Sequence, residues 1–428
     1  MPLCIYNTLT RCKDTLTPIT AGQVKMYVCG PTVYDEPHLG HARSAVVFDV
    51  IRRYLIAHGY RVTLVRNVTD IDDKILEKAR QQNQHFRRLG ACYLSKYELA
   101  MRRLGVVPPD AQPKATEFIG PIQNCISRLL QRGHAYAVGG NVYFAVASFK
   151  PYGQLSGRTI QAVAMDEDVS DESGKRHPAD FVLWKAARPR EPFWPGPWGP
   201  GRPGWHIECS AMSAHLLGEA YDIHGGGEDL IFPHHENEIA QSESLFQKPP
   251  AACWMHHGLV QAGGRKISKT DGHFQKLNDL LEIYPPDALR LFLLSRRYRR
   301  PMAFSHQKME SVLKSMARLY RFFSRRDVSA AMPAGRVNGC GTLWRRFCSA
   351  MDDDFNFPLA LAVVFEGIRG IQRATGFDAQ RPCAQHLKNQ QVAISDLNLI
   401  CREIFGFRLD CNAATEQPGD GRLAEYTI

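Results

Sequence analysis

QVKMYVCGPTVYDEPHLGHARSAVVFDVIRRYLIAHGYRVTLVRNV, residues 23–68, holds the pattern that decides the fold. QVKMYVC is an apolar run of strand length, and the Gly/Pro-rich CGPTVYDEPHLG that follows cannot continue it. From His41 to Gly59 the positions Val46, Val47, Val50, Ile51, Tyr54 and Leu55 recur at the helical period, which predicts a helix. RVTLVRNV reads as a second strand and IDDKILEKARQQ as a second helix opened by acids. This β–α–β–α order predicts a parallel sheet with helices on its faces. Sheets of that kind bind ligands at the carboxyl ends of their strands, where the loop after Cys29 stands.

Beyond this unit, about Ala115 to Asp180 reads differently: a helical segment, the strand-like GNVYFAV and a turn-rich stretch, expected as an insertion. EPFWPGPWGPGRPGWHIECS is dense in Pro, Gly and Trp, and a mere connector rarely carries three tryptophans. After Tyr284, PPDALRLFLLSRR starts a series of helices that continues almost to the end. A chain of 428 residues suggests two to four domains. Its 44% hydrophobic and 22% charged residues are an ordinary globular composition. MPLCIYNTLTRCKD lacks the apolar core of a secretory signal, and no stretch approaches a membrane span, so a cytoplasmic location is expected. Twelve cysteines without framework spacing are expected to be mostly free thiols, some of them metal ligands. A net charge of +10 favours a polyanionic partner. From Asp287 to Arg326 eleven Lys/Arg stand against two Asp/Glu, which places a nucleic-acid surface or a solvated basic helix face there.

Three motifs carry chemistry. In PTVYDEPHLGHAR, His38 and His41 bracket Gly40 where a strand gives way to a helix. Glycine lets a nucleotide approach the backbone, the helix N-terminus favours phosphate, and imidazoles can donate to a phosphate whose charge builds up. In KISKT, residues 266–270, Lys266 and Lys269 lie on a loop preceded by Gly263 and Gly264 and suit a pyrophosphate leaving group. FPHHENEIAQSE, residues 232–243, reads as a helix with Pro233 in its first turn. Positions four apart share a face, so His234 and Glu238 point together, whereas His235 and Glu236 belong to other sides. With Cys29 and Cys209 they offer two thiolates, an imidazole and a carboxylate, a set suited to tetrahedral zinc. Spacing alone leaves open the alternative of buried small cysteines beside a solvated helix.

HxGH early and KxSKx late, framing an α/β domain, resemble the two signatures of class I aminoacyl-tRNA synthetases. CGPTVYDEPHLGHAR, NVTDIDDKI, GRPGWHIECSAM, DIHGGGEDLIFPHHENEIAQSE, KISKT and YPPDALR, in this order and spacing, resemble the cysteinyl-tRNA synthetase family. The likeness runs to about residue 310 and more loosely to about Phe407. It implies an α/β fold: a Rossmann-like parallel-sheet catalytic domain (1–115 and 201–275) with a connective insertion (116–200), followed by a C-terminal α-helical bundle. The bundle divides into stem-contact helices (276–330) and a helical tRNA-binding domain (331–410). It implies one Zn2+ per chain on Cys29, Cys209, His234 and Glu238, joined by the substrate's thiolate, and Mg2+ with ATP. Trp205, Thr32, His224 and Asp229 are expected at the amino acid, and Gly40, His41, Lys266, Ser268 and Lys269 at ATP. His38, His41, Lys266 and Lys269 are expected to serve catalysis, with tRNA(Cys), ATP and L-cysteine as partners of a monomer.

Asp70, Asp72 and Asp73 open a helix and read as dipole partners rather than catalytic acids. His256 and His257 are expected near the nucleotide. The chain departs from the family at Leu39, Ile267, Thr270 and Asp271-Gly272-His273, while both lysines and Ser268 remain. The tail, 411–428, reads as too short and polar for the family's small anticodon domain. Two rivals share the motifs: a ligase joining cysteine to an amino-sugar, and a silent paralogue that only binds RNA.

Overall fold

The computed structural model describes residues 2–166, 174–262, 265–266, 276–324, 341–377 and 384–409. Residues 267–275, with Ser268 and Lys269, and the tail 411–428 lie outside the described residues. Gln23–Val28 and Arg61–Arg66 are the two strands expected from the opening stretch, and Leu39–Ala57 is the helix between them. With Tyr221–Gly227 and Ala251–His257 they form a four-stranded parallel sheet. The order across it is Ala251–His257, Tyr221–Gly227, Gln23–Val28, Arg61–Arg66. Val28 pairs with both Arg66 and Gly225, and His257 with Gly227, so the carboxyl ends of all four strands open on one side.

A second, antiparallel sheet is built from Ala135–Val138, Asn141–Phe144, Phe181–Ala186 and Gly201–Pro203. Its last strand runs directly into the helix Trp205–Leu217, which carries Cys209. Val142, Phe144, Leu183 and Trp184 from this sheet share one core with Ile207, Met212 and Ile239. The insertion therefore holds the cysteine helix in place from outside while the parallel sheet holds it from below. Among the described residues no helix is long and apolar enough to cross a membrane, and the nine described cysteines are all free.

The helix Leu39–Ala57 is buried on nearly every side, including Arg43 and Asp49. A helix apolar all round belongs inside a larger core. It lies between the sheet and the C-terminal helices, which include Pro286–Leu294, His306–Ser324, Thr342–Met351 and Phe357–Phe377. Arg290 reaches from the first of these to the Asp49 carboxylate, and also donates to the carbonyls of Phe405 and Leu104. Asp49 further accepts from Arg53 Nε and the Val107 amide, both at 3.0 Å. The basic segment after Asp287 is thus only partly a surface. Arg290 is fully buried, while Arg297 pairs with Asp353 and Arg299 with Asp354.

Removing one partner of a buried pair leaves the other charge uncompensated, whereas replacing both by apolar groups does not. Arg290→Ala is expected to lower the unfolding free energy by about 3–5 kcal/mol in urea melts. The double variant Asp49→Leu, Arg290→Met is expected to recover only part of that loss, because the Val107 amide and the Phe405 and Leu104 carbonyls lose their partners as well. A single variant as stable as the parent would show that the pair does not fasten the helical region to the sheet domain.

Candidate metal centre and the cavity above it

Cys29 is the first residue past the strand Gln23–Val28, and its amide donates to Gly225 O at 3.0 Å, which fixes the thiol at the sheet's edge. Cys209 comes from the helix Trp205–Leu217. His234 lies on the turn Ile231–His235, and Glu238 in the first turn of the helix Glu236–Phe246. Phe232 is extended (φ −136°, ψ 134°) and the residues after it turn helically, so Pro233 stands in the first turn as the sequence suggests. The i,i+4 relation still holds, with His234 Nε2 3.1 Å from Glu238 Oε1. Cys29 Sγ stands 3.9 Å from Cys209 Sγ and 3.7 Å from Glu238 Oε1. One donor atom from each of these four buried residues falls within 4.8 Å of the others, which is a group able to hold a metal ion.

A second group overlaps the first: Cys29, His224, His235 and Glu238 meet the same 4.8 Å limit. The expectation that His235 faces away is therefore corrected. His235 Nε2 is 3.3 Å from Cys29 Sγ, and Nδ1 is 2.7 Å from His256 Nε2. The helix Glu236–Phe246 is buried on all sides, so its far face meets protein and not solvent. A Cβ on Gly226 would stand 2.8 Å from the His235 ring, so the glycine makes room for that imidazole. Glu236 is likewise no solvated acid: its carboxylate accepts from the amides of Gly153, Leu155 and Ser156. His224 sits in the same buried layer, with Nε2 3.6 Å from Cys29 Sγ and Nδ1 2.7 Å from the Tyr221 hydroxyl.

Burial sets the charge states. It pushes the Cys29 thiol up, and the bond to Cys209 adds to that. Burial also opposes ionisation of Cys209, but the bond from Cys29 and the His234 imidazole outweigh it and bring that thiol down to about 7. Burial raises Glu238 well above the usual carboxylate range. It holds His206, His224 and His235 well below the ordinary imidazole value, so these rings are neutral donors or acceptors. His206, one turn before Cys209, places its Nδ1 2.9 Å from His234 Nδ1. HIEC shows that spacing plainly once His234 is suspected.

Above the cluster opens a cavity of about 680 Å³. Cys29, Cys209 and His234 line it, but His224 and His235 do not. Trp205, expected beside the amino acid, lines it too and stacks on His234 with ring centroids 4.4 Å apart. Thr32, Gly40, Asp229, His38 and His41 are also on its wall, and so is His257, whereas His256 lies behind. Lys266 ends the two-residue strand Arg265–Lys266, which pairs with Val260–Ala262.

His38 is the N-cap of the helix Leu39–Ala57: its Nδ1 accepts from the Gly40 amide at 3.0 Å, and His41 Nδ1 accepts from the His38 amide at 3.1 Å. An imidazole nitrogen that accepts carries no proton, so each neutral ring has its N–H at Nε2. The cap thereby selects the tautomer that can donate. Gly40 serves the same cap, since a Cβ there would stand 2.8 Å from His38 Cε1. The three acids have structural partners: Asp70 accepts from Thr116, Asp72 caps its helix through Lys74 N, and Asp73 pairs with Arg202 and Lys185.

Residues 15–314 match the family described as tRNA synthetases class I (C) catalytic domain, and residues 346–401 match the DALR domain. A cysteine–tRNA ligase of Thioalkalivibrio sulfidiphilus is 50% identical over 372 residues, covering 87% of this chain and 80% of that protein. One from Trichlorobacter lovleyi is 43% identical, covering 94% of this chain and 85% of the relative. Among solved structures, Mycobacterium tuberculosis methionyl-tRNA synthetase in complex with methionyl-adenylate superposes with a TM-score of 0.62 at 14% identity. It covers 95% of this chain and 91% of its own, a likeness of fold.

The buried histidines make stability depend on pH. Burial, with the charge of His257, holds His256 at about 3; burial, with the charge of Arg43, holds His257 at about 4. Below about pH 6.5 the unfolded chain takes up protons that the folded chain refuses, so stability present above that pH is lost as pH falls toward 4. Each histidine is expected to contribute about 1.4 kcal/mol per pH unit between pH 6 and 4.5. Urea melts across that range should lose about one proton's worth of slope in His256→Asn. An unchanged slope would overturn the assignment.

Proposed function

This chain belongs to the cysteine–tRNA ligase family of class I tRNA synthetases, and from that premise we propose how its cavity performs the two steps. The amino acid's carboxylate attacks the α-phosphate of Mg-ATP, releasing pyrophosphate and giving cysteinyl-adenylate. A 3′-terminal ribose hydroxyl of tRNA(Cys) then takes the acyl group and AMP leaves. The observation that carries the reading is the donor set Cys29, Cys209 and His234 exposed on the cavity wall with Glu238 behind them.

Of the two overlapping groups, that outer one would hold a zinc ion, because it alone brings two sulfurs and three of its four donors line the cavity. A bound zinc supplies affinity for a thiolate, while a serine hydroxyl stays protonated and is a poor ligand. A site built around one polar group can reject an analogue lacking it by roughly four to five decades. Trp205, stacked on His234, would cover the amino acid, with Thr32 and Asp229 on the same wall and His224 supporting from the layer beneath. His38 and His41, their Nε2 protons fixed by the cap, would donate to the α-phosphate as its charge builds. Lys266 and Lys269 would follow the departing pyrophosphate, with Gly40 and Ser268 at ATP. No side chain needs to act as a nucleophile, since positioning and electrostatics suffice for this chemistry. The match to the DALR domain and the relatives' names support tRNA over an amino-sugar as acceptor. We place the work in the cytoplasm, in a monomer.

Pyrophosphate exchange with ATP and cysteine, followed by charging of tRNA(Cys), tests the reading. Exchange without charging would move it to the amino-sugar ligase, and no exchange would sink both. Cys209→Ser is expected to weaken zinc retention more than about 100-fold and to remove exchange with it, whereas His235→Asn, outside the outer group, weakens it at most about 10-fold. Zinc kept by Cys209→Ser and lost by His235→Asn would relocate the ion to the inner group.

A further inference from the structure

Arg66 ends the strand Arg61–Arg66 and is 3% exposed, yet it lines the cavity above the metal cluster. Three other buried arginines keep acceptors at their terminal nitrogens, although Arg43 Nε and Arg202 Nε reach none. Arg43 donates to the carbonyls of Leu259 and Tyr298, Arg290 to Asp49 and two carbonyls, and Arg202 to Asp73. Arg66 Nη2 is buried and reaches no acceptor among the described residues. No described carboxylate forms an ion pair with it, although Glu98 lines a small adjoining pocket of about 240 Å³ that Arg66 also borders. A buried N–H of a charged group that is left without an acceptor is not compensated for the water it has lost. Such a group persists where an anion arrives.

Its position narrows the ligand. The Arg66 chain runs beside Gly30, whose Cβ, if present, would stand 3.2 Å from Arg66 Cγ. Gly30 follows Cys29, and Arg66 shares one cavity wall with Cys29, Cys209, His38, His41 and Tyr97. Arg66 therefore borders the same space as the sulfur-bearing cluster and the signature histidines. Its planar fork suits an oxyanion with two oxygens.

We propose that Arg66 is a substrate-binding residue of this cavity, whose guanidinium takes an oxyanion of the activation step: the amino acid's carboxylate or a phosphate of ATP. This rests on the activation reading above. The two sources converge in the product, where one carboxylate oxygen is bonded to the α-phosphorus.

The test compares wild type, Arg66→Met and Arg66→Lys, all zinc-loaded, by cysteine- and ATP-dependent pyrophosphate exchange and by thermal melting. Loss of one charge-assisted contact is expected to raise one KM by about 10- to 100-fold in Arg66→Met, with partial rescue in Arg66→Lys. A rise confined to cysteine identifies the carboxylate, and one confined to ATP identifies the phosphate. The melting temperature of Arg66→Met is expected to be unchanged or higher, because an unpartnered buried charge has been removed. Unchanged KM values, or a melting temperature that falls with no change in KM, would overturn the proposal. If wild type fails to exchange, the activation reading falls, and equilibrium titration of ATP and of L-cysteine into wild type and Arg66→Met still decides whether Arg66 binds an oxyanion.

Discussion

Two thiols, several imidazoles and a carboxylate are packed into one dry layer at the end of a parallel sheet, and the rest of the structure is arranged to make that tolerable. Each buried polar group must find a partner, or its desolvation is uncompensated. His224 leans on Tyr221, His234 on His206 and His235 on His256, while Cys29 shares its proton between Cys209 and Glu238. The partners come from two sheet strands and two helices, so the layer exists only when the sheet register is right. The neutral rings of His206, His224 and His235 leave little charge to bury. A divalent cation placed among them would meet ready donors.

The signature histidines show how one interaction serves two links of the chain from sequence to function. His38 and His41 close the N-terminus of the helix Leu39–Ala57, a structural task. Using Nδ1 for that task leaves the proton on Nε2, which is the state needed to donate to a phosphate. Replacing either ring by an aliphatic side chain would remove a cap and a donor together. Asparagine at the cap position would keep the first and lose much of the second.

How much of this was legible in the sequence depended on whether local periodicity or tertiary burial decided the outcome. The strands Gln23–Val28 and Arg61–Arg66 and the helix between them follow from apolar runs and a 3.6-residue period. The pairing of His234 with Glu238 follows from i,i+4 geometry, and Cys29 and Cys209 complete the set in space. The reading of His235 fails because positions three apart share a face as well as positions four apart, so His235 Nε2 comes within 3.9 Å of Glu238 Oε1. Glu236 does lie on another side of the helix, where it holds the 153–156 loop. Arg290 was counted as part of a basic surface because charge density along a sequence carries no information about depth. Arg66 gave no sequence signal at all: its lack of an acceptor is a property of the assembled cavity.

A single helix joins the chemistry to the helical region that follows the sheet domain. Leu39–Ala57 spans 19 residues, roughly 28 Å at the ordinary rise. Its first turn presents His38 and His41 to the cavity. Midway, Asp49 takes Arg290, and near its end the Tyr54 hydroxyl donates to Asp352 at 2.6 Å, at the start of the loop between two C-terminal helices. These contacts are buried and directional, so the helical region cannot shift along this helix without exposing an unpaired charge. The His38–His41 cap and the docking of the helical region therefore lie at two ends of one buried helix, held by the same packing.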